Sequence, residues 1–296
     1  MSAVRIGIDV GGTKIAAVVL DAHGEMISRT RVDTPGDYSS LIAAVPAVIE
    51  RCGQAARNIM GVGIGMPGSQ SPKTGLWRNC NMTFVNGRDV VSDLTAAIPY
   101  PTRIENDANC FALSEALGGA ADGRAVVYAL TLGTGVGGGL VIDGRVRRGP
   151  LAIAGEAGHM PIVLADGATP RPCYCGNFDC AELFVSGTGM ARDHRERTGA
   201  NLTAPQIIGV MRTGDVHARE TFQRWVDRLA RLIGALTNAL DPDAIVLGGG
   251  LSAIDELLDA LNAATPRYVF GQEAAPLIVI GETKESGARG AALLWP

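Results

Sequence analysis

Apolar and polar positions divide the chain into strand-length and helix-length segments that recur in two cycles. Residues 4–10, 14–20 and 25–32 alternate or run apolar, with turn residues at Gly11-Gly12 and His23-Gly24 between them, which predicts three consecutive strands. A helical period covers about 39–57, and Pro46 inside it predicts a bend or a split, because proline lacks the N–H that the helix ladder uses. Gly61-Val-Gly-Ile-Gly-Met66 reads as a buried strand stopped by Pro67-Gly68. Ile104-Glu105-Asn106-Asp107-Ala108-Asn109 reads as a strand end that runs into a helix. The second cycle has strands near 125–132 and 136–142 about a glycine turn, and a strand at 244–248 that ends in glycines. Phe222, Trp225, Val226, Leu229, Leu232, Ile233 and Leu236 keep helical spacing, so 217–240 reads as one long helix whose aromatics are core. The echo between the cycles is a faint sign of internal duplication.

At 296 residues the chain exceeds one typical core, so two lobes are expected. A hydrophobic fraction of 47% is that of a globular protein, and a net charge of −4 argues against a nucleic-acid surface. The arginine-rich stretch 192–197 reads as a solvated helix face. No opening hydrophobic signal precedes Val4, and no apolar run reaches the roughly 20 residues of a membrane span, so a cytoplasmic protein with no membrane partner is expected. In a reducing compartment the six cysteines point to metal binding before disulfides.

The richest chemistry lies in Ile6-Gly-Ile-Asp9-Val-Gly11-Gly12-Thr13-Lys14. A strand delivers one carboxylate, Asp9, to a turn whose two glycines can take backbone angles closed to other residues and bring their N–H groups close to phosphate oxygens. Asp9 could hold Mg²⁺, which prefers few carboxylates plus phosphate oxygens. The same Gly-Gly-Thr could also be a plain hairpin turn. Two further glycine turns, Thr131-Leu-Gly133-Thr134-Gly135-Val-Gly137-Gly138-Gly139 and Ala244-Ile-Val-Leu-Gly248-Gly249-Gly250, lack the Gly-Lys-Ser/Thr of a P-loop. Asp107 has two readings, a proton-accepting carboxylate and a helix N-cap, and the two are compatible. Lys14 reads equally as a phosphate contact and as a solvated lysine.

His159, Cys173, Cys175 and Cys180 offer three thiolates and an imidazole, a set known for closed tetrahedral Zn²⁺. Four protein ligands leave no open position, so the metal would be structural and would pin the loop about 155–182. The alternative is free thiols and a satisfied histidine. Cys52, Cys80 and Cys110 read as small buried apolar residues.

The order of these motifs resembles the ROK sugar kinases of the actin/hexokinase-like superfamily, over residues 5–294. Ser69-Gln-Ser-Pro72, Asn106-Asp-Ala-Asn-Cys110, Cys173-Tyr-Cys-Gly176 and the closing Arg289-Gly-Ala-Ala-Leu-Leu-Trp-Pro are similar to the bacterial manno(fructo)kinase branch, while His159-Met160 leans toward the N-acetylglucosamine kinases. The resemblance implies an α/β fold of two actin-like (ribonuclease H-like) lobes with an interlobe cleft and a zinc-binding insertion. Residues 1–117 would form the first lobe and 118–283 the second, with a C-terminal helix about 284–296 packed back on the first. It implies an ATP- and Mg²⁺-dependent kinase acting at the 6-hydroxyl of a hexose, and a homodimer. Asp107 would be the base. Pro67, Gly68, Asn79, Asn81, Asn106, Glu156, His159 and Glu182 would meet the sugar. Asp9, Gly11, Gly12, Thr13, Lys14, Thr134, Gly135 and Gly249 would meet the nucleotide and its metal.

Fructose or mannose is the expected substrate. N-acetylglucosamine, N-acetylmannosamine or glucose is the alternative. The branch often has an aromatic residue where Ala157 stands, asparagine at Met160 and tryptophan near Phe84, and these departures bear on the choice of hexose. The family's sugar-sensing repressors carry a DNA-reading module before the first strand, for which three residues before Val4 are too few. A nucleotide hydrolase of the actin-like type differs in turning over ATP without sugar.

Overall fold

The computed structural model describes residues 3–53, 58–164 and 170–296. In chain order its elements are β1 (Val4–Val10), β2 (Lys14–Leu20), β3 (Met26–Asp33), α1 (Tyr38–Gly53), β4 (Ile59–Met66), β5 (Ser69–Gln70), β6 (Trp77–Arg78), α2 (Val90–Ala97), β7 (Thr102–Asn106) and α3 (Asp107–Ala116). There follow β8 (Val126–Leu132), β9 (Val136–Ile142), β10 (Arg145–Val146), α4 (Glu182–Val185), α5 (Gly187–Thr198), α6 (Ala204–Arg212), α7 (Val216–Leu240), β11 (Ala244–Gly248), α8 (Leu257–Ala264), β12 (Ile278–Ile280) and α9 (Ser286–Ala292). They fall into two compact units. One comprises Met1–Ala125, Gly139–Gly155 and Glu282–Pro296; the other comprises Val126–Gly138 and Glu156–Gly281. Residues 139–155 therefore group with the first unit, where the sequence reading had put them in the second.

The first unit is built on a five-stranded sheet in the order β3-β2-β1-β4-β7. β1 pairs antiparallel with β2 and parallel with β4, and β4 pairs parallel with β7. β3 alternates between half-buried and exposed residues, as an edge strand does, whereas the interior strand β1 is buried at six of its seven positions. α1 runs unbroken through Pro46, so the helix is not split there. Its buried stripe of Leu41, Val45, Val48, Ile49 and Cys52 continues across the proline. At about 1.5–3 kcal/mol per buried aliphatic side chain, that stripe outweighs the ~3 kcal/mol a helical proline costs. Residues 54–57 of the expected helix lie outside the described residues. α9 returns to the same sheet, where a Cβ on Gly63 would collide with the Ala291 backbone, so glycine is what allows helix and strand to touch.

The second unit repeats the plan, with β8 joined through the Gly133–Gly135 turn to β9 on one side and parallel to β11, itself parallel to β12, on the other. β9 continues past Gly138 into the first unit, where it pairs with β10. Hairpin strands followed by two parallel strands thus occur twice, which gives the faint echo in the sequence a topological basis. The long helix appears as α7, started by Asp215, whose side chain accepts from the Ala218 N–H, and its expected stripe from Phe222 to Leu236 is buried.

The arginine-rich stretch stands at the surface as expected, with Arg195 and Arg197 exposed and Arg192 half-buried, but not every residue in it is solvated. Asp193 inside it is buried, with Arg228 and Arg224 each 2.8 Å away. Burial pushes the Asp193 carboxyl up, and the two guanidiniums more than offset this, holding it below the usual range. Arg171, fully buried, reaches Glu196 at 2.7 Å and lies over the Phe184 ring. Asp193→Ala would remove the carboxylate 2.8 Å from both Arg228, which is 1% exposed, and Arg224. The expected loss is about 3–5 kcal/mol in urea unfolding followed by tryptophan fluorescence. An unchanged midpoint would show that the pair contributes nothing.

Candidate functional site

Asp9 stands near the end of β1, paired across to Ala16 and Gly65. The following turn is closed by the Gly11 N–H donating to the Lys14 carbonyl at 2.9 Å. Neither Gly11 nor Gly12 has the positive φ that the sequence reading allowed for. Among the described residues a Cβ on Gly12 would meet nothing within 4 Å, so no contact there requires glycine. Thr13 and Lys14 are exposed beside it.

Burial first, then the negative charges of Asp107 and Glu285, push the Asp9 carboxyl up to about 7, with Arg31 opposing. Glu285, whose backbone has φ +51°, pairs with Arg31 at 2.7 Å. Gly287 lies so close that a Cβ would sit 2.7 Å from the Asp9 carboxylate. Two further carboxylates near a desolvated one form a site whose repulsion a divalent cation would relieve, and Asp9 could hold Mg²⁺ there. Glu285 and Gly287 were missed by the sequence reading. A backbone strained before α9 leaves no trace in hydrophobic period.

Asp107 is the first residue of α3, and burial pushes its carboxyl up while the Ala108 N–H, 2.9 Å from Oδ1, opposes this. The cap itself is Asn106, which settles the N-cap alternative. Its extended backbone lets Oδ1 accept from the N–H groups of Ala108 at 2.9 Å and Asn109 at 3.2 Å. Asn106 Nδ2 donates to the Gly68 carbonyl at 3.2 Å, so the expected pair Asn106 and Gly68 do come together. Gly68 has φ +87°, which glycine adopts without strain, and Trp77 Nε1 donates to Pro67 O at 2.8 Å. Asn79 and Asn81 are exposed on the segment after β6. Cys80 between them feels the Asp107 charge, after burial, which sets that segment close to Asp107. Beneath, buried Glu105 accepts from the Asn106 N–H at 2.8 Å and Asn109 Nδ2 at 3.1 Å, and pairs with Arg148 at 2.8 Å. Arg148 had carried no signal in the sequence.

In the second unit both glycine turns follow neighbouring parallel strands, with Gly248 in register with Thr131. Gly249 takes φ +81°. The first turn is anchored to the start of α5, by the Gly187 N–H to Gly133 O at 2.8 Å and Thr188 Oγ1 to Thr134 O at 2.8 Å. Glu182, the first residue of α4, accepts from the Val136 N–H at 3.1 Å, and a Cβ on Gly135 would collide with its carboxylate. Glu182, expected at the sugar, is thus also fixed to the turn expected at the nucleotide.

His159, Cys173, Cys175 and Cys180 bring their ligand atoms within 4.8 Å of one another. His159 Nδ1 is 3.7 Å from Cys173 Sγ, and Cys175 Sγ is 3.5 Å from Cys180 Sγ. Tetrahedral Zn–S bonds of ~2.3 Å require ligand separations near 3.7 Å, so the set fits zinc. The Asn177 N–H holds the Cys175 thiol down to about 7, whereas burial pushes Cys180 up to about 12. Residues 165–169 of the expected loop lie outside the described residues. His159 Nε2 faces the Tyr174 hydroxyl at 2.9 Å. Burial first, then Glu182, Cys173 and Glu156, push that phenol up, so Tyr174 lies near both expected sugar carboxylates. Ala157 is fully buried, so the room its small side chain leaves is taken up by core. Cys52, Cys80 and Cys110 are buried thiols as expected.

A ROK family profile matches residues 5–296, and the chain belongs to that family. It is 38% identical over 294 residues to the N-acetylgalactosamine kinase AgaK of Shewanella sp. (strain ANA-3), covering 97% of this chain and 95% of that one. It is 37% identical over 297 residues to an N-acetyl-D-glucosamine kinase of Salmonella newport (strain SL254), covering 97% and 98%. Among solved structures, a ROK hexokinase from Thermus thermophilus superposes with a TM-score of 0.86 at 33% identity, over 98% and 97% of the two chains. Among the described residues no helix is long and apolar enough to cross a membrane.

Elemental analysis is expected to find about one zinc per chain, lowered in Cys175→Ser. Zinc-free protein with full activity would remove the metal from the site.

Proposed function

We propose that this chain is an ATP- and Mg²⁺-dependent kinase of two actin-like lobes that phosphorylates an N-acetylated hexosamine, N-acetylglucosamine first, at its 6-hydroxyl. The observation that carries the kinase reading is Asp107, a desolvated carboxylate at the head of α3 whose capping duty is already met by Asn106. A carboxyl with a raised pKa is a better proton acceptor, and phosphoryl transfer asks for little beyond such a base, alignment and charge neutralisation. In this reading Asp107 takes the proton of the 6-hydroxyl as the hydroxyl oxygen attacks the γ-phosphorus, and the bond to the β-phosphate oxygen breaks with ADP as the leaving group. Asp9 would hold Mg²⁺, which would neutralise phosphate charge. Gly11, Gly12, Thr13 and Lys14, with Thr134, Gly135 and Gly249, receive the nucleotide. Glu156, His159 and Glu182 take sugar hydroxyls, with Asn106, Asn79, Asn81, Pro67 and Gly68 completing the sugar contacts. Zinc, held by His159 and the three cysteines, would keep the loop that carries them in shape.

The comparisons support the N-acetylhexosamine alternative over fructose or mannose. The fructose or mannose expectation rested on short segments at 69–72, 106–110, 173–176 and 289–296, whereas the N-acetylgalactosamine and N-acetyl-D-glucosamine kinases match over 97% of the chain.

Asp107→Asn keeps the side chain's size and leaves the Asn106 cap in place. We expect kcat to fall on the order of 10² or more, with sugar binding largely retained. Wild-type turnover by the variant would remove Asp107 from the chemistry. A coupled ADP-release assay across N-acetylglucosamine, N-acetylgalactosamine, N-acetylmannosamine, glucose, mannose and fructose is expected to give kcat/KM at least about tenfold higher for N-acetylglucosamine than for fructose or mannose. The reverse ranking would restore the fructose reading, and ADP release without sugar would make the protein a hydrolase.

A further inference from the structure

A recess of about 670 Å³ lies wholly within the first unit. Its walls are largely apolar, formed by Leu113 and Leu117 at the end of α3, Val146 of β10, and Leu293 and Trp295 after α9. Three guanidiniums line it too, those of Arg5, Arg103 and Arg145. Arg5 and Arg103 stand near the starts of β1 and β7, which flank β4 and run parallel to it toward Asp9 and Asn106. At ~3.3 Å per strand residue, Arg5 is about 13 Å from Asp9 along β1, so the recess is separate from the carboxylate site.

Arg5 is 8% exposed, yet its partners are neutral carbonyls, Trp295 O at 3.3 Å from Nη1 and Asp21 O at 3.0 Å from Nη2. Arg103 Nη1 donates to the Leu294 carbonyl, the one preceding Trp295 O, so the two guanidiniums are brought to adjacent points of the chain. The Arg103 guanidinium also lies 4.1 Å from the centre of the Trp295 ring. On Gly61 a Cβ would fall 2.4 Å from that ring, so close contact fixes this wall in place. Arg103 and Arg145 are exposed, and among the described residues none of the three guanidiniums pairs with a carboxylate. A guanidinium taken out of water is ordinarily paired with an anion, because its lost hydration must be replaced. Three cations without a carboxylate gather here in a chain whose net charge is −4. Sites for small organic ligands combine apolar walls with a few placed polar groups, in cavities of this size.

We propose that the recess binds a phosphate monoester with an apolar body, its phosphate held by Arg5, Arg103 and Arg145 and its body lying against Leu113, Leu117 and Trp295. Guanidinium forks match phosphate geometry, and a phosphate monoester offers three terminal oxygens to three guanidiniums where a carboxylate offers two. The proposal is independent of the kinase reading.

Titration calorimetry and thermal unfolding of the full chain with phenyl phosphate, inorganic phosphate and phenol test it. Phenyl phosphate is expected to bind about tenfold more tightly than inorganic phosphate, and phenol is expected not to bind measurably. Arg145→Gln removes a guanidinium that makes no hydrogen bond or ion pair to a described residue, so the variant should keep the wild-type Tm. It is expected to bind phenyl phosphate about tenfold more weakly. Lys14→Gln, at the glycine turn proposed for the nucleotide, is expected to leave that affinity unchanged. No heat and no rise in Tm with phenyl phosphate would overturn the proposal, as would unchanged affinity in Arg145→Gln or a loss in Lys14→Gln. Inorganic phosphate binding as tightly as phenyl phosphate would overturn the apolar body. None of these readouts depends on sugar phosphorylation, so a failure of the kinase reading would leave them unaffected.

Discussion

The repulsion between Asp9 and Asp107 is the constraint around which the first unit is organised. Two carboxylates are carried out of water, one near the end of β1 and the other at the head of α3, and the charge of Asp107 adds to the cost of charging Asp9. A fold selected only for stability would place an apolar or amide side chain at one of these positions. The structure instead surrounds them with partial compensation. Arg31 opposes on the Asp9 side, and the Ala108 N–H opposes at Asp107. Glu285 adds a third negative charge, held in a left-handed backbone conformation by its arginine partners. The remaining imbalance suits a cation and a proton from a substrate, which is what a phosphoryl-transfer site needs.

The surrounding frame is rigid where that imbalance must be held. Gly63 lets α9 lie on β4 at backbone contact, and Glu105 ties the start of α3 to Arg148 through three polar contacts. In the second unit the corresponding device is Glu182, which joins the metal-loop segment to the turn before β9. A shift of the cysteine loop would therefore be felt at Gly135 and Val136 without any change in the strands. Arg171 strengthens the same link, because its guanidinium bonds the Leu183 carbonyl while its own backbone N–H donates to Asp179 inside the loop at 2.8 Å.

Much of the fold was legible because hydrophobic period and glycine position are local properties. β1, β2, β4, β8, β9, β11 and α7 appear within two residues of their expected bounds. Asp107 and the metal cluster were legible because residue type and spacing carry their chemistry. What sequence did not reveal depends on contacts far along the chain. Glu285 meets Arg31 across 254 positions, and Arg148 meets Glu105 across 43. Pro46 does not split α1 because propensity is local while the stripe that overrides it packs in the core of the first unit. Gly11 and Gly12 could have taken unusual backbone angles, and neither does.

Substrate identity followed the opposite rule. The short matches that suggested fructose lie on positions with structural duties. Ser69 belongs to a two-stranded ribbon with Arg78, Asn106 caps α3, and Cys110 is fully buried beneath it. Such residues report how the first unit is assembled and carry little information about a sugar's second carbon. Ala157 is no better a guide, since its side chain is buried in the core. The side chains able to distinguish a hydroxyl from an acetamide are those whose polar atoms remain directed outward, and a residue held by capping, strand pairing or core packing has none to spare for that task.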